Sequence, residues 1–147
     1  MPQVPDPAPD HMTGERSFHL VIAADPTSVR SGLARLTAAA PVVDLNADHR
    51  ATTELVLAEI LNNVAEHAYP TGGGTVTLTL WLTAAGLSCL VVDCGQPMPG
   101  GNLPTGRLPS VDLPEGGFGW HLIRSLTQDL HYTRSDHQNR LSFLIPG

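Results

Sequence analysis

Residues 96–116, QPMPGGNLPTGRLPSVDLPEG, hold five prolines and four glycines in 21 positions and show no apolar periodicity. Proline removes a backbone donor and glycine weakens the interior of any regular element, so neither a helix nor a central strand can run through this stretch. It divides the chain into two blocks that must build one core between them. A loop of this length inside a compact domain is usually a lid or a binding loop. With 147 residues, 41% of them apolar, the chain has enough interior for one domain.

Before the loop, SFHLVIAA (17–24) has the composition of a strand, and Asp25-Pro26 opens a helix expected to run to about Ala40. A second helix, about Ala47–Ala68, carries Leu57, Leu61, Val64 and Ala68 on one stripe and stops ahead of Pro70 and Gly72-Gly73-Gly74. Thr75–Thr83 and Leu87–Val92, separated by Ala84-Ala85-Gly86, form a hairpin pattern. After the loop, a third helix is expected from near Gly117 to about Gln128, then strands at about Leu130–Arg134 and Arg140–Ile145. The order β-α-α-β-β-lid-α-β-β specifies an α+β fold, a two-layer α/β sandwich whose mostly antiparallel, mixed sheet has three helices on one face. Residues 1–16, with four prolines and little to bury, are expected to be a disordered tail ahead of a domain at 17–147.

The charged residues narrow the function. Fourteen acidic residues face eight basic ones, all arginine, for a net charge of −6 at pH 7. Such a surface argues against direct nucleic-acid binding, which needs basic residues to displace phosphate counterions. No apolar window is long enough for a membrane span, and the N-terminus lacks the profile of a signal peptide, so a cytoplasmic location is expected. Cys89 and Cys94 are too few for a disulfide framework, and with His121, His131 and His137 they match no zinc spacing.

Three groups of residues could carry chemistry. Glu59, Asn63 and His67 recur every four residues on the second helix, opposite its apolar stripe, so a carboxylate, an amide and an imidazole share one face. An amide oxygen is a hard neutral ligand that suits Mg²⁺, and a carboxylate one turn away can take a proton from a hydroxyl. The same stripe is also what any amphipathic helix presents to water. Asp93, at the end of a strand and followed by Cys94-Gly95, offers an acceptor-only carboxylate to the exocyclic amine of adenine, although Asp-x-Gly is common turn chemistry as well. Glu115-Gly116-Gly117-Phe118-Gly119 opens a helix with bare N–H groups, either an anion-binding turn that works without lysine or a hinge.

Their order, with 30 residues from Asn63 to Asp93 and 24 from Asp93 to Gly117, is more specific than any one group. ELVLAEILNNVAEHAYP (54–70) resembles the N box of the histidine-kinase-like (GHKL) ATPases. VVDCGQPMP (91–99) resembles their first glycine box, and residues 115–146 resemble the second with its following strands. Glu-x3-Asn-x3-His-Ala-Tyr in a short chain is most similar to the anti-sigma-factor serine/threonine kinases, and the resemblance spans about residues 17–146. It implies the Bergerat ATP-binding fold. By resemblance, Asn63 is the Mg²⁺ ligand, Glu59 the general base, Asp93 the adenine-reading aspartate, and Gly95, Gly117 and Gly119 the glycines of the nucleotide loops. His67 falls near the phosphates, and Ser142 falls where a hydroxyl helps the aspartate through water. Arg107 is the basic candidate in the lid. Trp120-His121 departs from the small and apolar residues usual after the last glycine.

The activity implied is ATP- and Mg²⁺-dependent phosphorylation of a serine or threonine on a small anti-anti-sigma antagonist. A sigma factor would be sequestered when that antagonist is phosphorylated, and the resemblance also implies a homodimer. Retention of Glu59 favours a kinase over the alternative, a nucleotide-binding regulatory module that transfers no phosphate. The catalytic half of a sensor histidine kinase would need a dimerising helical hairpin, which residues 1–16 do not supply.

Overall fold

The computed structural model describes residues 17–104 and 116–147. The tail at 1–16 and most of the lid, including Arg107, lie outside the described residues. Five strands form one sheet in the order β1-β2-β3-β5-β4, where β1 is Ser17–Ala23, β2 Thr75–Thr83, β3 Gly86–Asp93, β4 Gln128–Ser135 and β5 Gln138–Pro146. Three helices pack on it: α1 (Pro26–Thr37), α2 (Ala47–Asn63) and α3 (Gly116–Leu126). This is the expected α+β sandwich. All four pairings among the described residues are antiparallel, so the expected mixed character is not seen.

Capping marks the helix starts. Asp25 accepts the Ser28 N–H at 2.8 Å and the Ser28 hydroxyl at 2.9 Å, bonds that hold its carboxyl below the usual carboxylate range. Asn46 accepts the His49 N–H at 2.8 Å and starts α2. α1 ends at Thr37 rather than near Ala40, and the chain passes into a 3-10 turn at Val42–Asp44. α3 ends two residues before Gln128, which is already paired with Leu144 in the sheet.

The strands alternate, and one face of the sheet forms the core. Leu20 and Ile22, Val76, Leu78 and Leu80, Leu87, Cys89 and Val91, and Leu141, Phe143 and Ile145 all point toward the helices. They meet Val29 and Leu36 from α1, Val56, Leu57, Ile60 and Leu61 from α2, and Trp120 and Ile123 from α3. Burial pushes the Cys89 thiol well above its usual value, so it packs as a small apolar side chain. Ser135 and Gln138 close the β4–β5 hairpin around Asp136 and His137, at φ 50° and 63°, the pair of left-handed residues that a two-residue hairpin turn requires.

Candidate functional site

The site begins where α2 stops being α-helical. After Asn63 the backbone widens into a π-type turn over Val64–Ala68. His67 therefore leaves the four-residue spacing of Glu59 and Asn63; its side chain is two-thirds exposed, 3.5 Å from Glu66. The turn delivers the Ala68 carbonyl to the loop after β3, where it accepts the Gln96 N–H at 2.8 Å. Gly95 lies against the same carbonyl, so a Cβ there would collide with it and would stand 2.7 Å from the carbonyl carbon. Gly95 is thus required by the approach of two protein segments. The Tyr69 hydroxyl donates to the Thr75 carbonyl at 2.8 Å and accepts the Cys94 N–H at 2.7 Å, joining the end of the turn to β2 and β3. Burial raises the Tyr69 pKa, outweighing the stabilising bond from the Cys94 N–H.

Asp93 closes β3 with only 7% of its surface exposed. Its Oδ1 accepts the Gly95 N–H at 2.9 Å and the Asn139 amide N–H at 2.8 Å. Both bonds fall on one oxygen, which leaves Oδ2 as an acceptor for a ligand among the described residues. Asn139 is the residue that sequence reasoning missed. It stands directly opposite Asp93 in the β3–β5 ladder, whereas Ser142 pairs with Leu90 on the other face of the sheet. The placement of Ser142 beside Asp93 is therefore corrected: side chains alternate along β5, and Ser142 is out of phase with Asn139, Leu141, Phe143 and Ile145. That parity was available as a signal, since Leu141, Phe143 and Ile145 occupy alternate, odd positions, with Leu144 the one apolar residue of the strand out of phase.

A cavity of about 500 Å³ opens between α2, α3 and this end of the sheet. Its walls are mostly apolar, from Ile60, Val64, Ala68, Val91, Met98, Trp120 and Leu141, with Asn63, His67, Asp93, Gln96, Tyr132 and Asn139 as polar points. An apolar slot with a few convergent polar groups suits a flat, largely apolar ring carrying a few polar edges. Trp120, 6% exposed, both lines this cavity and belongs to the core. A second cavity, of about 440 Å³ at Asn46, His49 and Gly147, shares no lining residue with it.

Glu59 is half-buried and is not among the residues lining the cavity. Its Oε2 lies 2.8 Å from where a Cβ on Gly119 would stand, and the Asn63 Nδ2 lies 3.9 Å from the same point. The first turns of α3 therefore rest on the Glu59/Asn63 side of α2, and the missing side chain of Gly119 makes that possible. Asn63 Nδ2 is buried with no hydrogen-bond partner among the described residues. An unpaired buried amide costs about 1–3 kcal/mol, so the site is incomplete around Asn63. Asn63 Nδ2 is turned toward Gly119, and Asn63 itself lines the cavity. These two features fit a nucleotide: the open Oδ2 of Asp93 suits an amine on the base, and the unpartnered Nδ2 of Asn63, a donor, suits a phosphate oxygen. Gly117 lies in the first turn of α3.

The comparisons agree with this geometry. The family model described as the histidine kinase-like ATPase domain matches residues 22–145. The chain belongs to the histidine kinase-like ATPase family. Among solved structures, the RsbU and RsbW domains of Rv1364c from Mycobacterium tuberculosis match with a TM-score of 0.61 at 15% identity, over 86% of this chain and 31% of that one. This chain thus corresponds to about a third of that protein, and at such identity the likeness is one of fold. No curated protein matches the chain. In this histidine kinase-like ATPase fold, no helix among the described residues is long and apolar enough to cross a membrane.

Proposed function

We propose that the protein is an ATP-dependent serine/threonine kinase and anti-sigma factor, one that phosphorylates an anti-anti-sigma antagonist and sequesters a sigma factor. The observation that carries the nucleotide part is Asp93, its carboxylate held through Oδ1 at the end of an apolar slot with Oδ2 left for an amine. Membership of the ATPase family supports ATP as the ligand, and the likeness in fold to an RsbW-containing protein supports the regulatory setting.

In this reading Asp93 orients the base, and the apolar walls from Ile60, Val91 and Leu141 exclude water from the ring. Asn63 would hold Mg²⁺ through its amide oxygen, where the ion would supply charge neutralisation for the phosphates. Gly117 and Gly119 allow the first turn of α3 to approach the phosphates with backbone N–H groups. Glu59, one helical turn from Asn63, takes the proton from the attacking hydroxyl. Phosphoryl transfer depends mostly on placement and charge, so these few residues suffice. Homodimer formation and a cytoplasmic location belong to the same proposal.

The test is incubation of the full chain with labelled ATP, Mg²⁺ and candidate antagonist proteins. Acid-stable label on an antagonist is the expected result. Acid-labile label would point to histidine as the acceptor. ATP binding with no transfer to any partner would move the protein to the regulatory-module reading.

A further inference from the structure

The loop 94–98 that walls the cavity beside Asp93 is tied from both sides. Tyr69 and Ala68 hold it from the α2 side. From the sheet, Asn139, Tyr132 and Arg134 hold it together. The Asn139 Nδ2 donates to Asp93 Oδ1 and to the Gln96 carbonyl, both at 2.8 Å. Its Oδ1 accepts from the Tyr132 hydroxyl at 2.6 Å and from the Arg134 guanidinium at 3.0 Å. Arg134 also donates to the Gly95 carbonyl at 2.6 Å, and the Tyr132 hydroxyl accepts the Met98 N–H at 3.0 Å. The register puts all three on one face, since Arg134 pairs with Asn139 and Tyr132 with Leu141.

Each donor and each lone pair of the Asn139 amide is engaged, so the amide has one orientation. Turned over, it would set its oxygen against the Asp93 carboxylate and its N–H groups against two donors. The Tyr132 hydroxyl enforces that orientation while fixing Met98 on the cavity wall. We infer that Tyr132 and Asn139, with Arg134, form a positioning unit that sets base discrimination: by holding Oδ1 of Asp93 against a donor, the unit fixes the rotation of the carboxylate, so that Oδ2 is presented in the cavity to accept from a purine 6-amino group and to repel a 6-oxo group. A 6-oxo purine would turn a lone pair toward the carboxylate, where an amine donates. This inference rests on the adenine-nucleotide reading of the site.

The experiment compares ADP with IDP on the full chain, ADP by calorimetry and IDP by competition against it. Tyr132→Phe removes one oxygen and leaves the ring. Wild type is expected to prefer ADP, and Tyr132→Phe to bind ADP about tenfold more weakly with IDP unchanged, lowering the ratio about tenfold, the scale of one hydrogen bond. Asn139→Ser, which loses the bridge to Tyr132 and Arg134, gives the same readout if Tyr132→Phe does not fold. A parallel fall for ADP and IDP, or an unchanged ratio with a lowered melting temperature, would mean that the network only supports the fold and would overturn the inference. Wild type that binds no ADP would overturn the nucleotide reading and this inference together.

Discussion

Replacing Asp93 with asparagine separates the two jobs of its carboxylate. Oδ1 holds Gly95 and Asn139, and an amide oxygen in the same place accepts both N–H groups. What is lost there is charge assistance on two bonds, about 1–2 kcal/mol, offset in part because an ionised group no longer has to be buried. The other position changes sign: an NH₂ replaces Oδ2 and faces the 6-amino group of adenine, donor against donor. A mismatched buried pair costs about 3 kcal/mol, so ADP and ATP affinity should both fall by about 10²-fold. Urea unfolding and calorimetry with Mg-ADP on the same preparation measure the two effects. An Asp93→Asn protein that binds ADP within threefold of wild type would refute the assignment of Asp93 as the base-reading group, and so would a loss of affinity fully explained by unfolding.

Glu59→Gln keeps size and hydrogen bonding but removes the proton acceptor; nucleotide affinity and sigma-factor binding should persist while antagonist phosphorylation falls by about 10²–10⁴ in a single-turnover assay. Gly95→Ala drives a methyl into the Ala68 backbone, and because that carbonyl is also bonded to Gln96 the π-type turn must shift, costing about 2–4 kcal/mol in urea unfolding together with ADP affinity. Tyr69→Phe removes the bonds to Thr75 and Cys94 and should cost about 2 kcal/mol. The Tyr69 pKa is raised by folding, so its contribution is complete below about pH 10 and declines as pH rises toward the folded value; stability in Tyr69→Phe should fall less steeply above that pH than in wild type.

Much of the plan was legible without coordinates because it depends on neighbours along the chain. Asp25 and Asn46 cap helices with their own side chains, through bonds spanning three residues, and Pro26 suits a first turn. Alternation along the strands and the apolar stripe of α2 are likewise local periodicities, and they were enough to order the elements and to place Glu59 one turn from Asn63. Beside Asp93 the family resemblance places Ser142 and passes over Asn139, one residue ahead of the strand expected from the sequence. Periodicity could say that they lie on opposite faces, but which residue stands across from Asp93 depends on the register of two strands whose paired ends are 46 residues apart in the chain. The widening of the helix after Asn63, the seating of Gly95 on Ala68 and the engagement of all four hydrogen-bonding positions of Asn139 were decided in the same way. Each arises where segments distant in sequence compete for one volume and must satisfy each other's polar groups, and only the packed chain resolves that competition.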